Sequence, residues 1–431
     1  MASLDATTRC PPTCLAPARS LSLPDGPMLL PIFLIVLADV FALTLVIPLL
    51  AIYAEQFGAT PFQATLLITV FAACQLVSGP VLGRTSDRIG RKPMLLLSQA
   101  GTLIGLLVMA SATSLGMIFV GRIIDGCTAG NLSLAQAWIA DHTKPEERAK
   151  SFALIGIAFG LGFFLGPSVT GYLAQYGLRA PIFAAAGMSA TSILCTATLL
   201  RTVRPAAGSA GDAGPAGRRL GVFEWSAYAR YFRQPVLGRL LAQFFAFAFA
   251  FATFTSGFAL FAERTFTWHG RPFGPREVGY LFAYAGFLGI ILQGGLIGRL
   301  VQRFGERPLS TTGFVAMSAG YLLLGLVDHV GPLVVVTTLA AFGQGVLRPT
   351  LTSLVSRCAR ADEQGVVLGL TQSLSSVAQI SAPPLGGWLI GHALLSEWAF
   401  VASVAAAVGL ALAVSGREAA DVSEAARPAA S

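Results

Sequence analysis

An all-α membrane protein built of two parallel six-helix repeats is the fold this sequence predicts, and three observations predict it. The 431-residue chain is 54% hydrophobic, with a mean hydropathy of +0.69, which leaves too little polar surface for an ordinary water-soluble globule of that length. Its apolar residues fall into twelve long runs that show no alternation of period two. The stretch "GRTSDRIGRKP" at 83–93 returns as "GRLVQRFGERP" at 298–308, with the glycine, arginine and proline positions shifted by 215 residues. One half of the chain echoes the other.

A hydrocarbon core about 30 Å thick takes roughly 20 apolar residues of helix to cross. The runs that meet this are 28–53, 61–83, 94–113, 115–139, 150–174, 179–201, 235–262, 276–298, 308–327, 331–355, 364–390 and 396–415. Barrel strands would alternate polar and apolar residues, whereas a helix satisfies its backbone polar groups within each span. Residues 1–27 are rich in Pro, Ala and Ser and have no apolar core of their own, so they read as a disordered cytoplasmic tail rather than a signal peptide, with Met28 as an alternative start. A six-helix bundle is expected over 28–201. A Gly/Ala/Pro-rich cytoplasmic linker with an interfacial helix, "VFEWSAYARYFRQP", follows over 202–234. The second bundle takes 235–415, and 416–431 forms a cytoplasmic C-terminal tail. Parallel repeats of this kind suit a transporter with a pseudo-two-fold axis along the membrane normal.

The net charge of +8 orients the chain. With a cytoplasmic N-terminus, the inner loops hold nineteen Lys and Arg residues against four in the outer loops. That asymmetry places both termini in the cytoplasm and the protein in a plasma or inner membrane. It also disposes of nucleic acid as a partner. Six cysteines show no paired spacing and four histidines show no metal spacing, so neither a disulfide framework nor a metal site is expected. There is no GxSxG elbow and no phosphate-binding GxxxxGK[ST] loop. An enzyme, an ATP-driven pump and a cofactor are therefore not expected. The partners are a small-molecule substrate, protons and the bilayer, and the working unit is expected to be a monomer.

"GRTSDRIGRKP" resembles the signature loop between the second and third helices of the major facilitator superfamily, with Gly83, Asp87, Arg88, Gly90, Arg91 and Lys92 at the matching places. Thr85 stands where leucine is usual. The second copy keeps Gly298, Arg303, Gly305 and Arg307 but has Gln302 in place of the acid. The resemblance implies an inner gate in which Asp87 pairs across the two halves, joined by Asp141 and Arg148 of "ADHTKPEERAK". In the fifth span, "GLGFFLGPSVTG" is similar to the antiporter motif through Gly162, Gly166, Pro167 and Gly171, with Thr170 where glycine is typical. "SAPPLGG" in the eleventh span keeps the pattern in the other half. Small residues four apart let a facing helix approach closely, and proline permits a kink.

Charge inside an apolar span marks function, since a central Asp or Arg costs about 2.5–3.5 kcal/mol to insert. Asp39 lies nine residues before Pro48, a spacing that resembles the first helix of tetracycline/proton antiporters and their drug-exporting relatives. "GRIIDGCTAG" supplies Arg122 and Asp125, similar to the family's intramembrane arginine motif. At helical period Arg122, Asp125, Ala129, Ser133, Gln136 and Ala140 share one face, with Asn131 turned away. An acid beside an arginine in a low dielectric alternates between paired and protonated states, so Asp39, Arg122 and Asp125 are the candidates for proton coupling. Two pairings stay open, Asp39 with Arg122, or Asp125 with Arg122 and Asp39 left free.

In the second half, Arg348 of "GQGVLRPT" maps by the repeat onto Ser133. It meets an acid across the cavity, binds an anionic group of the substrate, or snorkels toward the surface near Arg357; proximity to that surface favours snorkelling. The seventh span carries a stripe of Phe244, Phe247, Phe251, Phe254, Phe258 and Phe261 edged by Gln243. Packing is the commoner use of such a stripe, and a cavity wall for apolar cations is the other. The expected substrate cavity is Ser133, Gln136, Gln243, Phe247, Phe251, Phe254, Gln344 and Arg348. The resulting reading is a secondary transporter that exports small, largely apolar molecules or drugs in exchange for protons by alternating access. An organic anion or metabolite carrier or an uncoupled facilitator is the alternative within transport. A transporter-like sensor or a lipid translocase is the alternative outside it.

Overall fold

In the computed structural model, residues 29–142, 145–200, 230–358 and 364–425 are described. The helices in chain order are α1 (Leu29–Glu55), α2 (Pro61–Ile89), α3 (Arg91–Ala110), α4 (Leu115–Cys127), α5 (Asn131–His142), α6 (Pro145–Leu173), α7 (Arg179–Leu199), α8 (Pro235–Thr265), α9 (Pro275–Ile291), α10 (Ile297–Phe304), α11 (Glu306–Leu326), α12 (Leu333–Cys358), α13 (Gln364–Gly391) and α14 (Leu395–Ala425). The sheet among the described residues is a ribbon of Thr267–Trp268 against Arg271–Pro272. Among the described residues, ten helices are long and apolar enough to cross a membrane, α9 and α10 counting as one because a π-helical turn, Leu292–Leu296, joins them. The two remaining runs depart for local reasons. The fourth is broken between Cys127 and Asn131, and α13 carries Gln372, Ser375, Ser376, Gln379, Pro383 and Pro384 within its length. Large apolar side chains such as Leu97, Ile104, Leu194, Leu322 and Val404 face outward, as a lipid solvent permits. The chain is an all-α polytopic membrane protein.

Local chemistry sets the helix ends. Thr60 caps α2 with a reciprocal pair of bonds, its backbone N–H donating to Gln63 Oε1 at 2.9 Å while its hydroxyl accepts from the Gln63 N–H at 3.3 Å, and Pro61 follows at the first helical position. The turn from α2 to α3 passes through Gly90 at φ 109°, and its repeat mate Gly305 joins α10 to α11 at φ 80°. Side chains rarely tolerate these angles, so the shared glycines of the two loops are conformational requirements. The linker and the terminal tails expected over 1–27 and 202–229 lie outside the described residues, while α14 continues to Ala425.

The N-terminal half packs α1 against α6 and α7, α3 against α4 and α7, and α2 against α4; the C-terminal half packs α8 against α13 and α14, and α11 against α12 and α14. The halves are joined chiefly by α2 with α13, α6 with α9, and α1 with α8. Close approach covers one end and reaches mid-span, where a Cβ on Gly286 of α9 would stand 2.6 Å from the Phe163 carbonyl oxygen of α6. A Cβ on Gly279 would stand 2.7 Å from the Pro167 carbonyl oxygen, and one on Gly171 would stand 3.1 Å from that of Arg276. Gly387 leaves room for the backbone of Pro61 and Phe62. One apolar cluster runs through both halves here, from Leu49 and Leu67 to Phe258, Leu260 and Leu389. Toward the opposite end, a Cβ on Gly79, Gly83, Gly160, Gly289, Gly294, Gly295 or Gly369 would meet nothing within 4 Å. Among the described residues, the contacts that join the halves gather at the Glu55 end and thin toward the Asp87 end.

Candidate transport site

The break in the fourth span decides which charges meet. Thr128 turns its hydroxyl back to the Ile124 carbonyl at 2.8 Å, Ser78 donates to Gly126 O at 2.8 Å, and the Ser98 hydroxyl serves both the Thr128 carbonyl and the Gly130 N–H. The freed backbone groups are thus satisfied by side chains, as a membrane interior demands. The consequence is a correction to the single polar face expected on this span. Arg122 and Asp125 end α4 in a buried position, while Ser133 and Gln136 stand exposed on α5. Asn131 leaves its Oδ1 buried without a hydrogen-bond partner.

Arg122 and Asp125 form an ion pair at 3.0 Å, both almost fully buried. Phe71 offers its ring face 5.3 Å from the Arg122 guanidinium, and Arg122 Nε donates to Met109 Sδ at 3.2 Å. Of the two pairings left open by the sequence, the structure shows the second. Asp39, midway along α1, meets Ser192 of α7 and Gln99 of α3 instead. Those two are joined, Gln99 Nε2 donating to Ser192 Oγ at 2.7 Å, and Gln99 Oε1 has no partner. The charged group acting on Asp39 is another acid, Asp125.

The motif glycines serve two faces. Gly162 and Gly166 pack against Val40 and Thr44 of α1 within their own half, where Thr44 donates to Gly162 O at 2.9 Å. Contact with the other half falls to Pro167 and Gly171, one turn further on. Thr170, the departure from the family pattern, donates to Leu45 O at 2.7 Å. In the charged loop, Asp87 pairs with Arg91 of its own half at 2.6 Å. Lys92 caps α7, its Nζ donating to Ala197 O at 2.8 Å and Leu200 O at 2.7 Å. Arg303 lies over the Phe304 ring at 5.6 Å, and the Arg307 carbonyl receives Ser310 at 2.8 Å. The side chains of Asp141 and Arg148 lie outside the described residues.

The phenylalanine stripe packs inward. Phe244 and Phe247 are buried in the C-terminal core with Phe314 and Met317, Phe251 stacks on Phe247, and Phe254 stacks on Tyr321 at 5.1 Å. Gln243 is buried and donates to Leu412 O of α14 at 3.3 Å, turned from the cavity it was expected to line. Gln344 is half-buried on α12. Arg348 is exposed on α12. Its guanidinium lies 5.0 Å from the centre of the Phe159 ring on α6, across the gap between halves. Two further groups escaped the sequence reading. Glu306 accepts from Ser353 at 2.7 Å and Arg357 at 3.1 Å, and Arg264 joins Glu55 at 2.6 Å. Glu306 is the repeat mate of Arg91, so the second loop keeps an acid at a shifted place.

Two packed groups of apolar helices that enclose a few intramembrane charges have the architecture of a membrane transporter. The sequence profile of the Major Facilitator Superfamily matches residues 32–296 and 274–429, and the chain belongs to that family. It is a transporter, not an enzyme. The class C tetracycline resistance protein of Escherichia coli is 30% identical over 321 residues, 74% of this chain and 77% of that protein. Multidrug resistance protein 2 of Bacillus subtilis (strain 168) is 25% identical over 373 residues, 83% of this chain and 88% of that protein. Among solved structures, the human organic anion transporter MFSD10 (TETRAN) superposes with a TM-score of 0.69 at 23% identity, over 91% of this chain and 100% of that one. That last likeness speaks for the fold.

Proposed function

We propose that the chain is a proton-coupled exporter of small, largely apolar molecules. The tetracycline and multidrug resistance proteins to which it is similar support the direction and the substrate class. The observation that carries the coupling is the division of labour among the intramembrane acids. Asp125 is held by Arg122 at 3.0 Å, whereas Asp39 keeps only neutral partners and is the acid free to exchange a proton. Buried unpaired carboxylates are expensive in a membrane and mark proton relays. The arginine-rich loops put the open Asp87 end on the cytoplasmic side, so the conformation described is one that loads substrate from within. The inner-gate role of Asp87, Arg303 and Arg307 belongs to the opposite conformation, in which these loops would meet.

The test uses purified protein in proteoliposomes with tetracycline and ethidium as probes and an imposed pH gradient. Wild type accumulates at least one probe against its gradient. Asp39→Asn binds that probe with unchanged affinity and exchanges it downhill, but does not accumulate it. Uphill accumulation by Asp39→Asn removes Asp39 from the role, and accumulation by neither protein of either probe removes the substrate class.

A further inference from the structure

We propose that Arg348 and Phe159 form a subsite for an organic anion with a flat apolar body, a substrate class that rests on the transport reading above. The guanidinium stands on α12 in one half and the ring on α6 in the other, 5.0 Å apart. Arg348 is exposed, as is its neighbour Pro349, and Thr352 is half-buried. The surface they share is the gap between the halves, since the ring that Arg348 meets belongs to the far side of it. Thr352 turns its own hydroxyl to Arg348 O at 2.7 Å and so does not occupy the guanidinium.

Among the described residues, no carboxylate acts on the Arg348 charge. Asp125 is consumed by Arg122, and Asp39 is engaged by Ser192 and Gln99. Among the described acids of the C-terminal half, Glu263, Glu277, Glu306 and Glu397 sit at helix ends and Asp328 in a loop. A cation kept deep in a bilayer without a counter-ion is a functional residue until shown otherwise. A ring face offers it much less than a planar anion can, since a carboxylate or sulfonate meets the guanidinium fork through two charge-assisted hydrogen bonds. The ring side of the cleft is extended as well, because Phe163 stacks on Phe159 at 6.4 Å with their planes 21° apart. An anion on Arg348 would lay its apolar body on that two-ring platform. It would thereby touch both halves at once, which is where a substrate must act to bias their relative motion.

The full chain in lipid nanodiscs is titrated by calorimetry with 1-naphthoate and with the neutral isostere 1-naphthalenemethanol. Naphthoate is expected to bind and the alcohol to bind roughly ten- to a hundredfold more weakly, the range that charge-assisted hydrogen bonds confer. Arg348→Gln should remove that difference, and Arg348→Lys should keep part of it. Phe159→Leu should weaken naphthoate while leaving hexanoate unchanged. Equal binding of naphthoate and the alcohol by wild type overturns the proposal without recourse to any variant. Unchanged naphthoate affinity in a folded Arg348→Gln overturns it too, leaving Arg348 as a strut between the halves. The titrations are run at one pH with no gradient imposed, so a failure of proton coupling is read separately from a failure of this subsite.

Discussion

Arg264, in the last turn of α8, donates to Glu55, at the end of α1, at 2.6 Å, and so ties the two halves together at the end where they are closed. Both side chains remain partly exposed, and exposed ion pairs are worth about 0.2–1 kcal/mol. Glu55→Gln should therefore raise the population open at this end by roughly a few-fold rather than lock it open. Double electron–electron resonance between spin labels on the two halves reads that population. An unchanged distance distribution would assign the closure to the shared apolar cluster alone.

The glycine contact beside it is stiffer. A side chain at Gly279 would collide with the Pro167 carbonyl, a backbone atom that cannot rotate away. Gly279→Leu should drive the halves apart at the Glu55 end, favour the opposite conformation and abolish turnover. Gly166→Leu should act differently, since it collides with Thr44 inside one half and so lowers thermal stability. Accessibility of single cysteines at the two ends, measured beside the melting temperature, separates the two outcomes.

Lys92 occupies a signature position yet holds the C-terminus of α7 through two carbonyls. Cations there gain from the helix dipole as well as from the hydrogen bonds, typically by about 0.3–1 kcal/mol and up to about 2 kcal/mol when partly buried. Lys92→Met should lower the melting temperature by a few degrees while leaving the exchange rate near wild type. A variant that melts as wild type does but no longer exchanges substrate would return Lys92 to the gate.

The repeat, the helical class and the glycines of the two loops were legible in the sequence because each rests on local rules: hydropathy over a span, a shift of 215 residues, a positive φ at Gly90 and Gly305. Pairing was less legible. The face assigned to Arg122 through Gln136 assumed an unbroken helix, and the break at Thr128–Gly130 is made by Ser78 and Ser98 of neighbouring helices, which no period within the span can reveal. Gln243 was likewise drawn away by Leu412 of α14. Gln99 and Ser192 around Asp39, and Phe159 opposite Arg348, are brought close by tertiary packing alone. An arginine within an apolar run announced that some partner was needed, without saying which helix would supply it.

The Arg122–Asp125 pair gives the last expectation, and its sign follows from burial. Both ions are almost fully enclosed, so the attraction at 3.0 Å is set against a large desolvation cost on each side. Removing one partner leaves the other charge unpaired in a low dielectric, which costs about 3–5 kcal/mol. Asp125→Leu or Arg122→Leu alone should thus lower stability strongly. Removing both is another matter, because two apolar side chains of similar volume restore packing without any buried charge. The double variant should recover most of the loss, giving a coupling energy of several kcal/mol in a double-mutant cycle. Guanidinium or sodium dodecyl sulfate unfolding of the purified protein measures it. Since Asp39 keeps its neutral partners throughout, the double variant should still drive uphill transport, while Asp39→Asn does not. If the double variant is as stable as wild type but has lost its response to a pH gradient, the proton is carried by Asp125 after all.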